Sequence, residues 1–159
     1  MSTFAIKVDL AGLNAALDAK AQQVQAAARP AAQAGAQVLY QAVLANVAAI
    51  GSVTGHLRAA IYQVYSQDHS GPGHATYHIS WNASKAPHGH LVEWGHVQKY
   101  VAYVGRDGRW YTAKKGGRPV PLPGGPRQVP ARPFVRPAIA FQEQARQAMA
   151  ERFRKELAA

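Results

Sequence analysis

The chain opens on a short alternation, with Phe4, Ile6 and Val8 separated by Ala5 and Lys7, which predicts a strand. Asp9 can then cap a helix in which Leu10, Leu13, Leu17 and Val24 recur at helical spacing. That helix is expected to run over residues 10–50. Pro30 should kink or break it, because proline lacks the backbone donor and crowds the preceding turn. Between Val24 and Val38 the large apolar residues thin out into "QQVQAAARPAAQAGAQ", so this part can bury only a narrow stripe of small side chains. Gly51 marks its end.

Beyond it the period changes. "TGHLRAAI" reads as a helical turn feeding a strand, "IYQVYSQ", and "HATYHISW" alternates again after "DHSGPG", so a hairpin is expected. In "SKAPHGHLVEWGH", Pro87 and Gly89 precede a short helix that Gly95 should close. A second hairpin follows, "KYVAYVG" and "RWYTAK", turning at Arg106 to Gly108. Eight of the ten prolines lie between Pro87 and Pro137, and the run "KKGGRPVPLPGGPRQVPARP" predicts an extended, partly mobile arm. Over residues 137–157, Phe141, Ala145, Met149, Phe153 and Leu157 repeat every fourth position, and Pro137 suits the first position of a final helix.

These elements make one α+β domain spanning residues 1–159. A small antiparallel sheet packs against long N-terminal and C-terminal helices, with hairpins and a short helix over 54–113 and the basic arm over 114–136. The 159 residues, 48% of them hydrophobic, suffice for one core. No apolar run is long enough for a membrane span, and the first residues do not spell a secretory signal, so a soluble protein made inside a cell is expected. The absence of cysteine excludes disulfides, thiolate metal sites and cysteine nucleophiles.

Charge sharpens this picture. Eighteen Lys and Arg stand against eight Asp and Glu, a net charge of +10, the composition of a protein that works beside polyanions. The cations concentrate in Arg106, Arg109, Lys114, Lys115, Arg118, Arg127, Arg132 and Arg136, opposed over that stretch by Asp107 alone. The aromatics Tyr100, Tyr103, Trp110 and Tyr111 adjoin them. Such a mixture can bind single strands by charge and stacking, or it can be hairpin aromatics covering a core beside a solvated basic loop. Cations set around a channel would instead give sequence-blind contact with duplex phosphates.

For chemistry, "HGHLVEWGH" brings His88, His90, Glu93 and His96 together, residue types that bind transition metals. The spacing is not HExxH, however, and the alternative is that Leu91, Val92 and Trp94 are core while the histidines are surface or interface groups. His56, His69, His74 and His78 flank turns and strands without a carboxylate pair. There is no GxSxG, no GxxxxGK[ST] and no GxGxxG after a strand. No cofactor is expected.

The order of three segments resembles the tail-completion (head-tail joining, neck or minor tail) protein family of tailed bacteriophages and prophages. Thr54, Gly55, Leu57 and Arg58 match a Thr-Gly-x-Leu-Arg turn. Val92, Glu93, Trp94 and Gly95 match a Val-Glu-Phe-Gly segment with Trp for Phe, and His96 replaces the Thr that follows it. Pro130, Pro133, Phe134, Arg136, Pro137 and Ala138 match Pro-x-x-Pro-Phe-x-Arg-Pro-Ala. "APHGH" replaces an aromatic before the Glu segment, and the stretch from Val97 to Gln128 is longer and more basic than the pattern.

The resemblance implies a non-enzymatic virion protein that forms a homo-oligomeric ring, six copies by expectation, at the head-tail junction. Its partners would be other neck, connector and tail-tube proteins and the viral DNA crossing the ring. In this reading Glu93 accepts backbone or arginine hydrogen bonds, Trp94 and Phe134 anchor the core, and Arg132 and Arg136 pair with carboxylates or a neighbouring subunit. Lys114, Lys115, Arg118 and Arg127 are expected to face DNA or a partner. The rivals are a free basic nucleic-acid-binding protein and a histidine-based metallohydrolase or nuclease.

Overall fold

A computed structural model describes residues 10–51 and 55–158. The expected strand at Phe4 to Val8, the Asp9 cap and Thr54 lie outside them. The α+β architecture is as the sequence implies. Helix α1 (Ala11–Ile50) is followed by α2 (His56–Ala60), β1 (Ile61–Gly71), β2 (His74–Trp81) and α3 (Gly89–Trp94). Six short strands come next: β3 (His96–Gln98), β4 (Ala102–Val104), β5 (Trp110–Thr112), β6 (Lys114–Lys115), β7 (Arg118–Pro119) and β8 (Arg127–Val129). A 3-10 turn (Arg136–Phe141) leads into α4 (Gln142–Ala158).

Helix α1 has 40 residues, which makes it about 60 Å long, and it does not break at Pro30. Its burial is the narrow stripe expected of small residues, with Ala27, Ala31, Gly35, Ala36 and Ala42 buried along it. Helix α4 returns antiparallel on this side. A Cβ on Gly35 would overlap the Met149 side chain, and the far end of α4 is held where Lys20 Nζ and Gln23 Nε2 donate to the carbonyls of Leu157 (3.3 Å) and Glu156 (3.0 Å). The β1–β2 hairpin also lies along α1, with the Arg29 guanidinium 4.3 Å from the centre of the Tyr65 ring. Neither partner covers the start of α1, and every residue from Leu10 to Gln22 is exposed.

The core gathers at the other end. Ala42, Val43 and Val47 of α1 meet Ile61, Phe134 and Ala138, and Leu57, Ile79, Trp81 and Val92 pack around them. Phe134, with 0% of its surface exposed, is the plug, and its burial is worth roughly 2–3 kcal/mol. The aromatic that braces it is Trp81, edge-on at 5.5 Å.

The hairpin departs from expectation in one detail. Strand β1 continues through "DHSG", and the register from Ile61↔Trp81 to Ser66↔Thr76 resumes only at Gly71↔His74. The extra residues form a bulge closed by hydroxyls: Ser70 Oγ donates to the Ser66 carbonyl (2.6 Å) and accepts from Thr76 N (2.8 Å). Only Pro72 and Gly73 are left to turn the chain.

The larger correction concerns the arm. Residues 114–129 are folded back rather than extended and mobile. Strands β4 and β5 pair, β6 and β7 pair, and β8 returns to pair with β3, matching His96 to Val129 and Gln98 to Arg127. Backbone bonds lock the pieces together: Val101 N to Val120 O, Ala113 N to Val101 O, Val120 N to Ala113 O and Leu122 N to Lys99 O. The prolines do not prevent this because they alternate. In "PVPLP" the non-proline residues Val120 and Leu122 supply the inward N–H donors, while Pro119, Pro121 and Pro123 take the positions between them. Gly116 and Gly117, at φ +58 and +78, make the tight turn between β6 and β7.

Candidate functional site

The segments that carry the family resemblance meet around one carboxylate. Glu93, on α3, is 2% exposed. Each of its oxygens accepts two N–H donors: Oε2 from Phe134 N (2.7 Å) and Val135 N (3.1 Å), Oε1 from Arg136 N (3.1 Å) and Arg136 Nε (3.1 Å). The Arg136 guanidinium also donates to the Glu93 carbonyl at 2.8 Å. The chain thus enters its 3-10 turn with three consecutive N–H groups converging on a single buried anion.

A buried charge is tolerable only with such compensation. Burial works to raise the Glu93 pKa. The three backbone N–H groups and the Arg136 guanidinium outweigh it, so the carboxyl ionises below its ordinary range. With four donors on its two oxygens, Glu93 is engaged as a structural acceptor.

The neighbours complete a clamp. Arg132 N donates to the Val92 carbonyl (2.8 Å), and Asn46 of α1 donates to the Phe134 carbonyl (3.0 Å). Gly95 closes α3 at φ +72, and a Cβ there would stand 2.8 Å from both Ala131 N and Val129 O. Leu57 of α2 reaches the same core, and Arg58 donates to the Leu44 carbonyl at 3.3 Å. Gly55, at φ +72, sets the start of α2, and Pro137 stands at the start of the 3-10 turn. Pro133 lies between Arg132 and Phe134 in the wall of the clamp.

One expectation needs correction. Trp94 is not a core anchor: it is 63% exposed, and its ring covers the Arg136 guanidinium, 4.0 Å away. On a six-residue helix, holding Glu93 inward turns the next residue out. The tryptophan that packs on the core in its stead is the half-buried Trp81, from a strand whose alternation and hairpin partner were legible but whose contact with Phe134 was not. Arg136 pairs with a carboxylate, as expected, whereas the exposed Arg132 side chain makes no ion pair among the described residues.

The histidines of "HGHLVEWGH" do not assemble. Among the described residues no three His, Asp or Glu side chains are placed to hold a metal. His90 is exposed, while His96 Nδ1 is buried with no hydrogen-bond partner. His88 faces a different cavity, with His56.

The cations form a separate region. Lys114, Lys115, Arg118 and Arg127 are exposed on the β6–β7 turn and β8, and Arg127 Nε donates to Gln98 Oε1 at 3.0 Å. In the adjoining β4–β5 hairpin, Tyr103 and Tyr111 pair across the strands at 5.9 Å. Tyr111 OH donates to Asp107 Oδ2 (2.7 Å) and Arg109 N donates to Oδ1 (3.1 Å). These bonds, the tyrosine's first, lower the Asp107 pKa. No described helix is long and apolar enough to cross a membrane.

No protein-family model, no curated protein and no solved structure matches the chain.

Proposed function

We propose that the chain is a structural, non-enzymatic virion protein of a tailed phage or prophage: a neck or tail-completion subunit whose copies close into a ring, six by the family pattern, joining tail to head around the DNA. Its partners are the other neck, connector and tail-tube proteins, and it resides at the head-tail junction after assembly in the host cytoplasm.

The observation that carries this reading is the clamp. The "VEWG" and "PFVRPA" segments, 41 to 43 residues apart at their hydrogen bonds, are the two halves of one buried device, with Leu57 on the same core. The two segments on which the resemblance chiefly rests thus serve one structural purpose, which supports the reading.

Apolar surface left exposed among the described residues supports self-assembly. The seam that faces α4 continues beyond the end of α4 as Leu10, Leu13 and Leu17, which are 52%, 55% and 59% exposed, on roughly 15 Å of projecting helix. Ile139 and Phe141 are exposed at the opposite end of the α1–α4 layer, and an apolar groove of about 420 Å³ lies between Val38, Ala42, Ala45 and Phe141. Different surfaces at two ends suit a heterologous contact that repeats and closes.

The test is genetic. In the phage or prophage carrying it, loss of the gene should leave filled heads and separate tails, and the wild-type gene should restore joining. Normal virions without the gene product would refute the reading.

A second reading rests on the basic, aromatic β4–β7 lobe: a free protein coating nucleic acid. It requires tight, salt-dependent DNA binding by the monomer, whereas a ring subunit should bind weakly until assembled.

A further inference from the structure

Between α2, the turn before α3 and the β4–β5 hairpin lies a cavity of about 350 Å³, at the small end of the roughly 300–1,000 Å³ of small-molecule sites. Its walls include His56, Lys85, His88, Arg109, Trp110 and Tyr111. Four of these six can carry positive charge, and none of the described wall residues is acidic. The nearest carboxylate in sequence, Asp107, accepts from Tyr111 OH and Arg109 N and stands 3.9 Å from Arg109 Nε, a loose and exposed pair that leaves the other guanidinium N–H groups free to donate.

The cations come from separate elements that the fold holds in place. Asn82 Oδ1 accepts from Ser84 N (2.9 Å) and Lys85 N (3.1 Å), setting the turn that carries Lys85 into the wall. Gly108, at φ +73, allows the hairpin turn to approach the His56 ring, where a Cβ would stand 2.8 Å from Cε1. Burial first, then the neighbouring imidazoles of His56 and His90, push the His88 pKa down. An anion entering the cavity would relieve that crowding of basic groups.

Inorganic phosphate alone would satisfy the charge and leave the aromatic wall idle. A flat ring attached to a phosphate uses both, with the base against the Trp110 indole and the phosphate among Lys85, Arg109 and His88. We propose that this cavity seats one nucleoside phosphate, either free or as one unit of an unpaired strand. This does not depend on the ring reading: a site of this size takes a single nucleotide and not a duplex, and it belongs to one subunit.

The experiment uses the purified full chain in whichever oligomeric state it adopts. The Trp110 indole N–H signal is followed by NMR, assigned by its loss in Trp110→Phe. The probes are thymidine monophosphate, thymidine, inorganic phosphate, a short oligothymidylate and hexaglutamate. Thymidine monophosphate should shift the signal saturably, and roughly tenfold more inorganic phosphate or thymidine should be needed for the same occupancy. Arg109→Gln, at a side chain that is 72% exposed and so outside the core, should weaken binding about tenfold. Followed by isothermal titration calorimetry, since it lacks the indole signal, Trp110→Ala should bring the affinity down to that of inorganic phosphate, and Lys114→Ala should leave monophosphate binding unchanged. Oligothymidylate binding much more tightly than the monophosphate identifies the strand as the source, and equal affinity identifies the free nucleotide. The proposal is overturned by a signal that does not saturate at millimolar thymidine monophosphate, by wild-type affinity in Arg109→Gln, or by hexaglutamate outcompeting the nucleotide.

Discussion

Replacing Glu93 by Gln keeps the shape of the buried side chain and removes its charge. An amide offers one oxygen and one NH2 group. Whichever way it is turned, the NH2 faces either Phe134 N and Val135 N or the two Arg136 donors. Two N–H groups then lose their acceptor and confront another donor. At about 1–3 kcal/mol for each buried group left unpaired, with the Arg136 share discounted because that side chain is half exposed, the loss is roughly 2–4 kcal/mol. Against a total stability of about 5–15 kcal/mol this is large, and it should lower the urea midpoint by on the order of 1–2 M without changing the slope.

The effect should also depend on pH. A carboxyl with a lower pKa in the folded state than in the unfolded chain adds stability that is present above the unfolded value, about 4.3, and is lost as pH falls through the folded one. Glu93 has its pKa lowered, so the gap between wild type and Glu93→Gln should be widest near neutrality and narrow on acidification below the ordinary glutamate range. Urea titrations followed by tryptophan fluorescence across that pH series measure it. A loss below about 1 kcal/mol at neutral pH, or a gap that widens in acid, would refute the clamp as described.

Other substitutions probe the remaining parts of the fold. Gly95→Ala combines a left-handed backbone with a Cβ pressed against backbone atoms of the returning chain, and should cost at least about 2 kcal/mol in a denaturant titration. Trp81→Ala removes the brace on Phe134 and should cost about 2–4 kcal/mol, while Trp94→Ala at its exposed site should cost under about 1 kcal/mol; thermal melts of the pair check the exchanged roles. Val120→Pro deletes the N–H that reaches Ala113 O, and should raise hydrogen exchange at Val101 and Ala113, whereas Pro121→Ala should leave both protected.

The helices were legible because their signals are local: the four-residue spacing down α4, the small-residue stripe of α1 and the glycines that follow α1 and α3 all point one way. Pro30 did not break α1, since packing against α4 and the hairpin on either side outweighs one missing backbone bond. Glu93 could be placed as an acceptor from its resemblance motif, but the identity of its donors required the fold that brings residues 134–136 to α3. Trp94 and Trp81 look alike in sequence; the place against the core went to the one whose strand faces Phe134. In the arm the spacing of the prolines outweighs their number. Alternation at 119, 121 and 123 is the mark of an edge strand with every second donor kept. The nucleotide-sized cavity was not visible at all, because His56, Lys85, His88 and Arg109 come from separate elements.

The central claim is that this chain closes into a ring through the projecting start of α1. Native mass spectrometry of the purified protein over a rising concentration series tests it most directly. The expected result is a discrete species of closed-ring mass, six subunits, that reverts to a monomer of unchanged thermal stability in the Leu13→Lys, Leu17→Lys double variant. A wild-type chain that stays monomeric at the highest concentration reached would contradict it.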